Sequence, residues 1–333
     1  MKFMQIKPQK ARGKFDESMW TDPNWSAEEK FDGDRRIAQF VNGVVRFTGT
    51  RESVDGTGFV EKTMNLPHLA GMIGYGGQGQ EIGKLQGTVL DGEIIFTGKT
   101  DGGGLSKYVT SIMGSSPDEA IRKQKERGWL EYAVFDCLWY KGEDLRNESL
   151  EVRREHVEAA LELWDNEHAW AVGHGTTDKE AYFDTILKRG GEGVILKHRD
   201  HTYGNEKLWV KVKGEWTADV IVSGFTEGKG KYKGQIGAIK MGQHKGKMAK
   251  GCLSIDHDAD QGLYSDLLDV GQCSGMDDAL RAEITSHSNK FIGRVMEIKH
   301  NGREPTGKFR HPRFKRWRDD KKASDCIYRK DEI

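Results

Sequence analysis

Cysteine, proline and long apolar runs are all scarce in this chain of 333 residues. The four cysteines (Cys137, Cys252, Cys273 and Cys326) lie far apart and form no CxxC pair, which excludes a cysteine zinc module and a disulfide framework. Six prolines are too few for a proline-rich or collagen-like chain. No run of 18 apolar residues is present to span a membrane, and the first residues lack the apolar stretch of a signal peptide. We therefore expect a cytoplasmic protein without a membrane segment.

An overall excess of either charge is also absent, because 52 Lys and Arg balance 52 Asp and Glu. The two parts of the chain nevertheless differ: residues 216–333 hold 22 Lys and Arg against 17 Asp and Glu. Positive charge is concentrated at 226–250 and at 299–322, which contain seven and ten Lys or Arg. Such clusters are typical of a surface that faces a polyanion, and a merely solvated surface is the alternative.

Glycine is plentiful, at 42 residues, nearly twice the usual share of ~7%. Glycine-rich patches at 74–79 and 98–104 predict surface loops, and Ser116-Pro117-Asp118-Glu119 predicts a capping box at a helix start. Short β-branched or aromatic runs predict strands, and apolar residues at helical spacing predict helices. The strands are predicted at 88–96, 131–140, 193–197 and 208–213, and the helices at 117–127, at 150–164 and from Asp178 to Gly190.

After Lys213 the pattern changes to short strands with glycine turns, beginning with a predicted linker at 214–218. Strands are predicted at 219–225, 237–241 and 293–299, and a helix at about 276–287. This arrangement is typical of a small β-barrel, for which the oligonucleotide-binding (OB) fold is the candidate. We predict an α+β protein with antiparallel sheets in a first domain, residues 1–215, followed by a barrel domain, residues 216–333.

The strongest local motif is Lys30-Phe31-Asp32-Gly33-Asp34-Arg35. In an extended segment Lys30 and Asp32 would point to one face, and Gly33 would permit a tight turn beside a ligand. A lysine in a pocket can act as a nucleophile when its surroundings favour the neutral amine. The alternative is a surface lysine in a β-turn, because so short a motif also arises by chance.

Three predicted strands direct charged residues to one face. Asp91 and Glu93 alternate in the first, Glu192 is predicted to share a face with Val194 and Leu196, and Lys211 and Lys213 alternate in the third. Charged faces on apolar strands usually line a polar cavity, because unpaired buried charge is unfavourable. A solubility device on an edge strand is the alternative for any single strand. Carboxylates and lysines together favour a metal–phosphate site.

These segments, in this order, resemble the ATP-dependent DNA ligases of the lysine-nucleotidyltransferase superfamily. Lys30–Arg35 is similar to the KxDGxR motif of that family, whose lysine becomes covalently bonded to AMP. The resemblance extends from about Glu28 to Lys321. It implies an N-terminal adenylation (nucleotidyltransferase) domain, an OB-fold domain, and the use of ATP with Mg²⁺, for which Mn²⁺ would substitute.

The resemblance also assigns roles to individual residues. Glu28 would read the adenine amino group, Phe135 would stack on the adenine, and Arg35 belongs to the nucleotide-binding motif. The remaining roles are phosphate binding by Arg51 (with Arg46 as an alternative), metal binding by Asp91, Glu93 and Glu192, ribose contact by Glu93, α-phosphate contact by Lys211 and Lys213, and triphosphate-tail contact by Arg316, Arg318 and Lys321.

The implied reaction is the sealing of 5′-phosphate/3′-hydroxyl nicks through a lysyl-AMP intermediate and a DNA-adenylate. The implied partner is nicked duplex DNA, bound by a monomer mainly through backbone phosphates. Only 29 residues precede Lys30, so we expect no extra N-terminal DNA-binding domain. The resemblance is thus to the compact two-domain ligases of bacteriophages.

Four other functions are alternatives for this sequence. RNA ligases share the first five motifs of this family but usually lack the barrel and the sixth motif, which residues 310–321 resemble in this chain. Capping enzymes normally have a tryptophan between the two lysines, where this chain has Val212. A non-catalytic nucleic-acid-binding protein would need only the basic barrel and stacking aromatics. An NAD-dependent ligase is disfavoured because its four-cysteine zinc module is missing.

Overall fold

The structure is a computed structural model that describes residues 3–54, 56, 58–72, 75, 82–98, 105–175, 177–245, 267–304 and 306–329. The chain divides into two compact units, unit 1 (Met1–Lys213) and unit 2 (Gly214–Ile333). The division falls two residues before the predicted domain boundary. None of the helices in the described ranges has the length and apolar character needed to traverse a lipid bilayer.

Unit 1 combines two sheets with four helices among its described residues. The strands are β1 (Trp25–Glu29), β2 (Asp34–Val41), β3 (Val44–Glu52), β4 (Phe59–Glu61), β5 (Val89–Ile95), β6 (Glu131–Tyr140), β7 (Glu143–Asp144), β8 (Ala169–Ala171), β9 (His174–Gly175), β10 (Gly193–His198) and β11 (Trp209–Lys213). The helices are α1 (Leu105–Met113), α2 (Pro117–Arg127), α3 (Leu150–Trp164) and α4 (Lys179–Lys188).

The larger sheet has the order β4-β3-β2-β5-β6-β7, with β8 beside β6, and the smaller sheet has the order β11-β10-β1-β9. Neighbouring strands are antiparallel except for β6 and β8. Helices α1 to α3 cover the larger sheet over a core that includes Phe40, Phe47, Tyr132 and Trp164. Helix α4 packs on the smaller sheet, where Ile186 meets Val194 and Leu196.

The chain crosses from the smaller sheet to the larger one between β1 and β2, which belong to different sheets. The crossing segment is Lys30–Gly33, so the lysine motif lies where the two sheets meet. Gly33 is required here by close approach, because an added Cβ would lie 2.1 Å from the carbonyl oxygen of Ile94 in β5. Lys30 and Asp32 both lie in this crossing segment, outside the strands on either side of it.

Unit 2 contains a sheet with one helix among its described residues. Its elements are β12 (Trp216–Glu227), β13 (Ile236–Lys245), β14 (Leu267–Cys273), α5 (Asp278–Ser286), β15 (Val295–His300), β16 (Arg313–Trp317) and β17 (Ile327–Tyr328). The order is β14-β13-β12-β15-β16, and β17 pairs with β13. A core of Val220, Ile239, Met241, Met296 and neighbouring side chains lies between the strands.

The predicted strands and helices of both units are confirmed to within a few residues, but three details are wrong. The predicted linker at 214–218 overlaps β12, because Trp216 stacks on His300 and pairs with β15. The Ser116 hydroxyl makes no capping hydrogen bond in the described structure.

Of the predicted glycine-rich loops, 74, 76–79 and 99–104 lie outside the described residues.

The predicted face of Glu192 is the third error. Val194 and Leu196 are buried against Trp20 and Trp25, whereas Glu192 turns to Lys30 on the other side of the sheet. Glu192 precedes β10, and Gly193 has a φ of 143°, so the two-residue alternation of the strand does not extend back to Glu192. The opposite face of β10 instead carries Ile195 and Lys197 into a cavity.

Candidate active site

A cavity of about 400 Å³ opens where the two sheets of unit 1 meet. Six of the predicted site residues line it. They are Glu28, Lys30, Arg35, Glu93, Phe135 and Lys211. These residues come from β1, the crossing segment, β2, β5, β6 and β11, so the fold brings together positions that are up to 183 residues apart. The remaining wall comes from Lys10, Ala11, Arg12, Glu29, Phe31, Ile195, Lys197 and Trp209.

Lys30 is held by a shared carboxylate. Its Nζ is ion-paired with Glu192, and the Nζ of Lys213 lies 2.5 Å from the other oxygen of that carboxylate. The Lys30 backbone N–H donates to the carbonyl of Gly193 at 2.9 Å, which ties the crossing segment to the start of β10. The Lys30 side chain is 22% exposed. Lys30 is therefore fixed in direction but accessible from the cavity.

Glu28 forms the polar end of the cavity and is almost fully buried. Its carboxylate lies 2.5 Å from Lys197 Nζ and 3.6 Å from an Arg154 nitrogen. Its Oε1 has no hydrogen-bond partner among the described residues. A buried acceptor without a partner is uncommon in native proteins, and here it suits an N–H donor on a ligand.

Arg35 and Asp91 form a two-point ion pair beside the cavity. Arg35 donates from Nε to Asp91 Oδ1 at 2.9 Å and from NH2 to Oδ2 at 2.6 Å. Asp91 is fully buried and also accepts a hydrogen bond from Tyr203 at 2.7 Å. Both of its oxygens are thus engaged by protein donors, and this geometry favours a positioning role over the predicted metal role.

Glu93 faces Arg35 across the β2–β5 pairing and lines the cavity. Burial raises the pKa of Glu93 to about 8, and the positive charges of Arg35 and Lys30 offset this effect only in part. A carboxylate in such surroundings gains from a further cation close to it. Glu93 is therefore a suitable oxygen donor for a divalent cation.

Metal binding here would depend on a ligand as well as on the protein. Among the described residues there is no group of three or more His, Cys, Asp or Glu side chains that could hold a metal ion. Mg²⁺ usually takes one or two carboxylates together with substrate phosphates and water. Glu93 fits that habit, provided that a phosphate shares the cation. Glu192, whose two oxygens pair with Lys30 and Lys213, would join it by exchanging one of these lysines for the metal.

Aromatic rings form the apolar part of the cavity. The rings of Phe135 and Trp209 lie 5.9 Å apart, and the guanidinium of Arg35 lies 5.2 and 5.4 Å from the two ring centres. Lys197 Nζ lies 4.6 and 4.2 Å from the same rings. Flat rings with cations at their faces offer stacking surfaces for a heteroaromatic base.

Sequence reasoning missed several members of this wall. Trp209 and Ile195 had a readable signal, because each alternates with a cavity residue on its strand: Trp209 with Lys211 and Ile195 with Lys197. The wall formed by Lys10, Ala11 and Arg12 had no comparable signal, since these residues lie outside any helix or strand.

The other predicted site residues lie outside the lining of this cavity. Arg51 is an exposed residue of β3, and Arg46 is ion-paired with Glu61 and stacked on Phe3. The choice between these two arginines therefore remains a prediction.

The sixth motif lies in unit 2, where acidic residues hold its cations. Arg316 lies 2.6 Å from Glu297, and Lys321 lies 2.5 Å from Asp219. Arg318 pairs with both Asp219 and Asp320. The side chains of Arg316 and Lys321 are 60% and 38% exposed, so both cations can reach an additional anion.

Comparison with known protein families gives an independent result. A family described as "ATP dependent DNA ligase domain" matches residues 9–213. The multifunctional non-homologous end joining protein LigD of Pseudomonas aeruginosa is 31% identical over 66% of this chain, which spans 23% of that relative. The SPbeta prophage-derived DNA ligase-like protein LigB of Bacillus subtilis is 23% identical, with 90% of this chain and 94% of the relative aligned.

Among solved structures, one from a structure–function study of Lig E DNA ligases has the same fold. It matches with a TM-score of 0.62 at 17% identity and covers 94% of this chain and 100% of its own. The similarity extends over both units and concerns the fold alone.

Proposed function

The chain belongs to the ATP-dependent DNA ligases, and on this basis we propose that it seals 5′-phosphate/3′-hydroxyl nicks in duplex DNA at the expense of ATP. The observation that carries the proposal is the position of Lys30. It reaches a cavity whose other walls include a buried carboxylate with one oxygen that accepts no hydrogen bond from the described residues, aromatic rings and further cations. Such a cavity matches the parts of a nucleoside triphosphate.

The base would occupy the aromatic end of the cavity. Phe135 and Trp209 supply ring surfaces, Ile195 supplies an aliphatic one, and Glu28 Oε1 would accept a hydrogen bond from the adenine amino group. Guanine carries a carbonyl oxygen where adenine carries that amino group, and the oxygen would face the Glu28 carboxylate. Selection of ATP over GTP follows, because two acceptors repel each other.

The first chemical step would occur at Lys30 Nζ. The neutral amine attacks the α-phosphorus, an N–P bond forms, the bond to the β-phosphate oxygen breaks, and pyrophosphate leaves while the lysine loses a proton. Lys211 and Lys213 place positive charge close to the α-phosphate. Positioning and charge stabilisation account for most of the catalysis of such transfers.

We assign Mg²⁺ to Glu93 and Glu192, with Mn²⁺ as a substitute. When bound, the cation would neutralise charge on the phosphates. Asp91 would act on the protein side by holding Arg35 through its two-point ion pair. Arg35 would then face the nucleotide with its remaining N–H groups.

The later steps would use DNA. The 5′-phosphate at a nick would take AMP from Lys30, and the adjacent 3′-hydroxyl would displace AMP to join the strand. We propose that the exposed lysines at 229, 231 and 233 help unit 2 to hold backbone phosphates, so binding depends little on sequence.

We also propose that unit 2 is an OB-fold barrel. Support comes from the strand order β14-β13-β12-β15-β16 and from a parallel bridge between Ser274, just after β14, and Arg313 in β16. That bridge joins the two ends of the sheet. A five-stranded barrel with a helix between the third and fourth strands is expected for this fold, and α5 lies at that point of the chain.

The test is adduct formation with ATP labelled at the α-phosphate, followed by addition of nicked DNA. The protein should acquire AMP on Lys30 and pass it to the 5′-phosphate. Lys30→Ala and Lys30→Arg should form no adduct, because arginine stays protonated and cannot attack. Labelling at another residue would overturn the assignment, and sealing of only RNA-containing nicks would favour an RNA ligase.

A further inference from the structure

The segment before the first strand, residues 4–13 (the N-terminal segment), forms part of the cavity. Ile6, Pro8 and Gln9 are buried, and the residues that follow Gln9 line the cavity wall. The segment has no helix or strand of its own, so hydrogen bonds to other elements determine its course. Gln9 makes four hydrogen bonds to other parts of the chain and is only 3% exposed.

All four polar groups of Gln9, two in the backbone and two in the side chain, make hydrogen bonds. Its carbonyl accepts from Arg35 NH1 at 2.5 Å, and its backbone N–H donates to the Tyr203 hydroxyl at 3.0 Å. Its side-chain Oε1 accepts from the backbone N–H of Gly204, and Nε2 donates to the carbonyl of Asn205 at 3.3 Å.

These contacts close a ring of four residues. Tyr203 donates to Asp91, Asp91 accepts two hydrogen bonds from Arg35, and Arg35 returns to the carbonyl of Gln9. Three of the five N–H groups of Arg35 are used in the ring, so its plane is fixed and the remaining two can donate elsewhere. Because Arg35 lines the cavity, the ring determines how it meets a ligand there.

The segment beyond Gln9 is attached to the chain that leads into β11. The N–H groups of Arg12 and Gly13 donate to the carbonyls of Glu206 and Trp209, each at 2.9 Å. The Arg12 side chain pairs with Glu206 at 2.8 Å. The same segment therefore restrains two walls of the cavity, one with Arg35 and one with Trp209.

We propose that Gln9 is a positioning residue for nucleotide binding, acting through Arg35. The inference rests on the proposed function, because it takes the ligand of the cavity to be ATP. The side chain of Gln9 clamps the segment to Gly204 and Asn205, and this clamp presents the Gln9 carbonyl to Arg35. Loss of the clamp frees Arg35 to rotate about its pair with Asp91, which weakens the binding of ATP.

The chain supplies a matched control in Gln39. Gln39 is also buried, and it also makes two side-chain hydrogen bonds to the N-terminal segment, with the N–H and carbonyl of Met4 at 3.0 and 2.7 Å. Gln39→Ala thus removes a comparable clamp from the far end of the same segment. A general loosening of the segment would affect both variants alike.

The experiment measures adduct formation against ATP concentration, together with thermal unfolding, for wild type, Gln9→Ala and Gln39→Ala. Both variants should lose similar stability. Gln9→Ala alone should raise the ATP concentration for half-maximal rate by about tenfold, with less than about twofold change in the rate at saturation. Equal half-maximal concentrations in the two variants would overturn the inference.

A second variant keeps the inference testable if Gln9→Ala does not fold. Tyr203→Phe removes the hydroxyl that joins Gln9 to Asp91, and we expect a shift in the same direction. Where Gln9→Ala does fold, the two shifts should not add in the double variant, because both changes break one ring. A normal half-maximal concentration in Tyr203→Phe would contradict the ring. Failure of the wild type to form any adduct would instead refute the proposed function.

Discussion

A buried ion pair lies next to the Phe135 wall of the cavity. Asp136, the neighbour of Phe135 in β6, forms a two-point ion pair with Arg153 of α3, and both side chains are fully buried. Arg153 also donates to the carbonyls of Glu148 and His201, at 2.7 and 2.8 Å. The pair joins β6 to α3 and to the loop before β11, so it holds the Phe135 wall of the cavity.

Asp136→Ala should destabilise the protein by about 3–5 kcal/mol, because it leaves the buried Arg153 without a counter-charge. Urea unfolding measures the change. The control is Asp144→Ala, which breaks a similar two-point pair with Arg146 at the surface. We expect about 0–1 kcal/mol for the control. Equal losses of unfolding free energy in the two variants would show that the buried pair contributes no more to stability than the surface pair.

The same pair should make stability depend on acid. Burial has the largest single effect and raises the pKa of Asp136. The charge and hydrogen bonds of Arg153, with the charges of Lys197 and His201, together outweigh burial, so the pKa lies below 3.8. The stabilisation is complete above the unfolded value of about 4 and is lost as the pH falls through the folded pKa. Below pH 4 the free energy of unfolding should therefore fall less steeply with decreasing pH in Asp136→Ala than in the wild type. Urea unfolding at several pH values measures this dependence.

At the scale of elements, the crossing segment Lys30–Gly33 joins β1 of the smaller sheet to β2 of the larger one. It pairs Lys30 with Glu192, just before β10, and brings Lys30 into the cavity that Glu93 of β5 also lines. The position of this segment depends on how closely Gly33 approaches β5. An added Cβ would lie 2.1 Å from the Ile94 carbonyl oxygen and 2.9 Å from Glu93 Cγ.

Gly33→Ala should slow adduct formation and cost about 1–3 kcal/mol of stability, because backbone must move to admit the methyl group. Adduct rate at saturating ATP and urea unfolding are the measurements. Gly173→Ala is the control, since a Cβ there meets no atom within 4 Å. An unchanged adduct rate in Gly33→Ala would show that the approach of the crossing segment to β5 is not needed for catalysis.

At the scale of the whole molecule, residues 1–215 carry 30 Lys and Arg against 35 Asp and Glu, whereas residues 216–333 carry 22 against 17. This uneven charge agrees with the different ligands that we propose for the two units. In that proposal, unit 1 binds one nucleotide in its cavity, and unit 2 contributes positive charge for the much larger polyanion, DNA.

The triple variant Lys229→Ala, Lys231→Ala and Lys233→Ala should weaken binding of nicked DNA and reduce its salt dependence. Each phosphate contact contributes a slope of about −0.9 in log affinity against log salt. Binding measured at several salt concentrations gives the slope. Alanine at the exposed Lys14, Lys125 and Lys188 of unit 1 is the charge-matched control. Equal slopes for the two triple variants would place the phosphate contacts elsewhere.

Alanine at Arg316 or Lys321 should separate the steps of the reaction. The family resemblance assigns these residues to the triphosphate tail, which is gone once Lys30 carries AMP. Adduct formation with ATP should fall by at least about tenfold, while sealing of a pre-adenylylated nick changes little. Glu192→Ala should impair both. Single-turnover assays of the two reactions provide the measurement, and equal losses in both for Arg316→Ala would contradict this role.

The sequence by itself determined four of the strands that carry the site, β5, β6, β10 and β11, because each is a short β-branched or aromatic run bounded by turn residues. It did not predict β1 and β2, which carry Glu28 and Arg35. Within β11, Val210 and Val212 pack into the core of the smaller sheet, as alternation predicts. The order of the motifs was likewise enough to indicate the family, since it does not depend on how the strands are arranged in space.

Only the tertiary structure decided which charges meet. Glu192 pairs with Lys30 across 162 positions, Asp91 binds Arg35 and Tyr203, and the N-terminal segment closes the cavity. Local periodicity describes a strand up to the point where its backbone changes direction, and at Gly193 a positive φ reverses the side on which Glu192 emerges. A residue in no regular element, such as Gln9, has no periodicity at all, so its place is set by hydrogen bonds to distant parts of the chain.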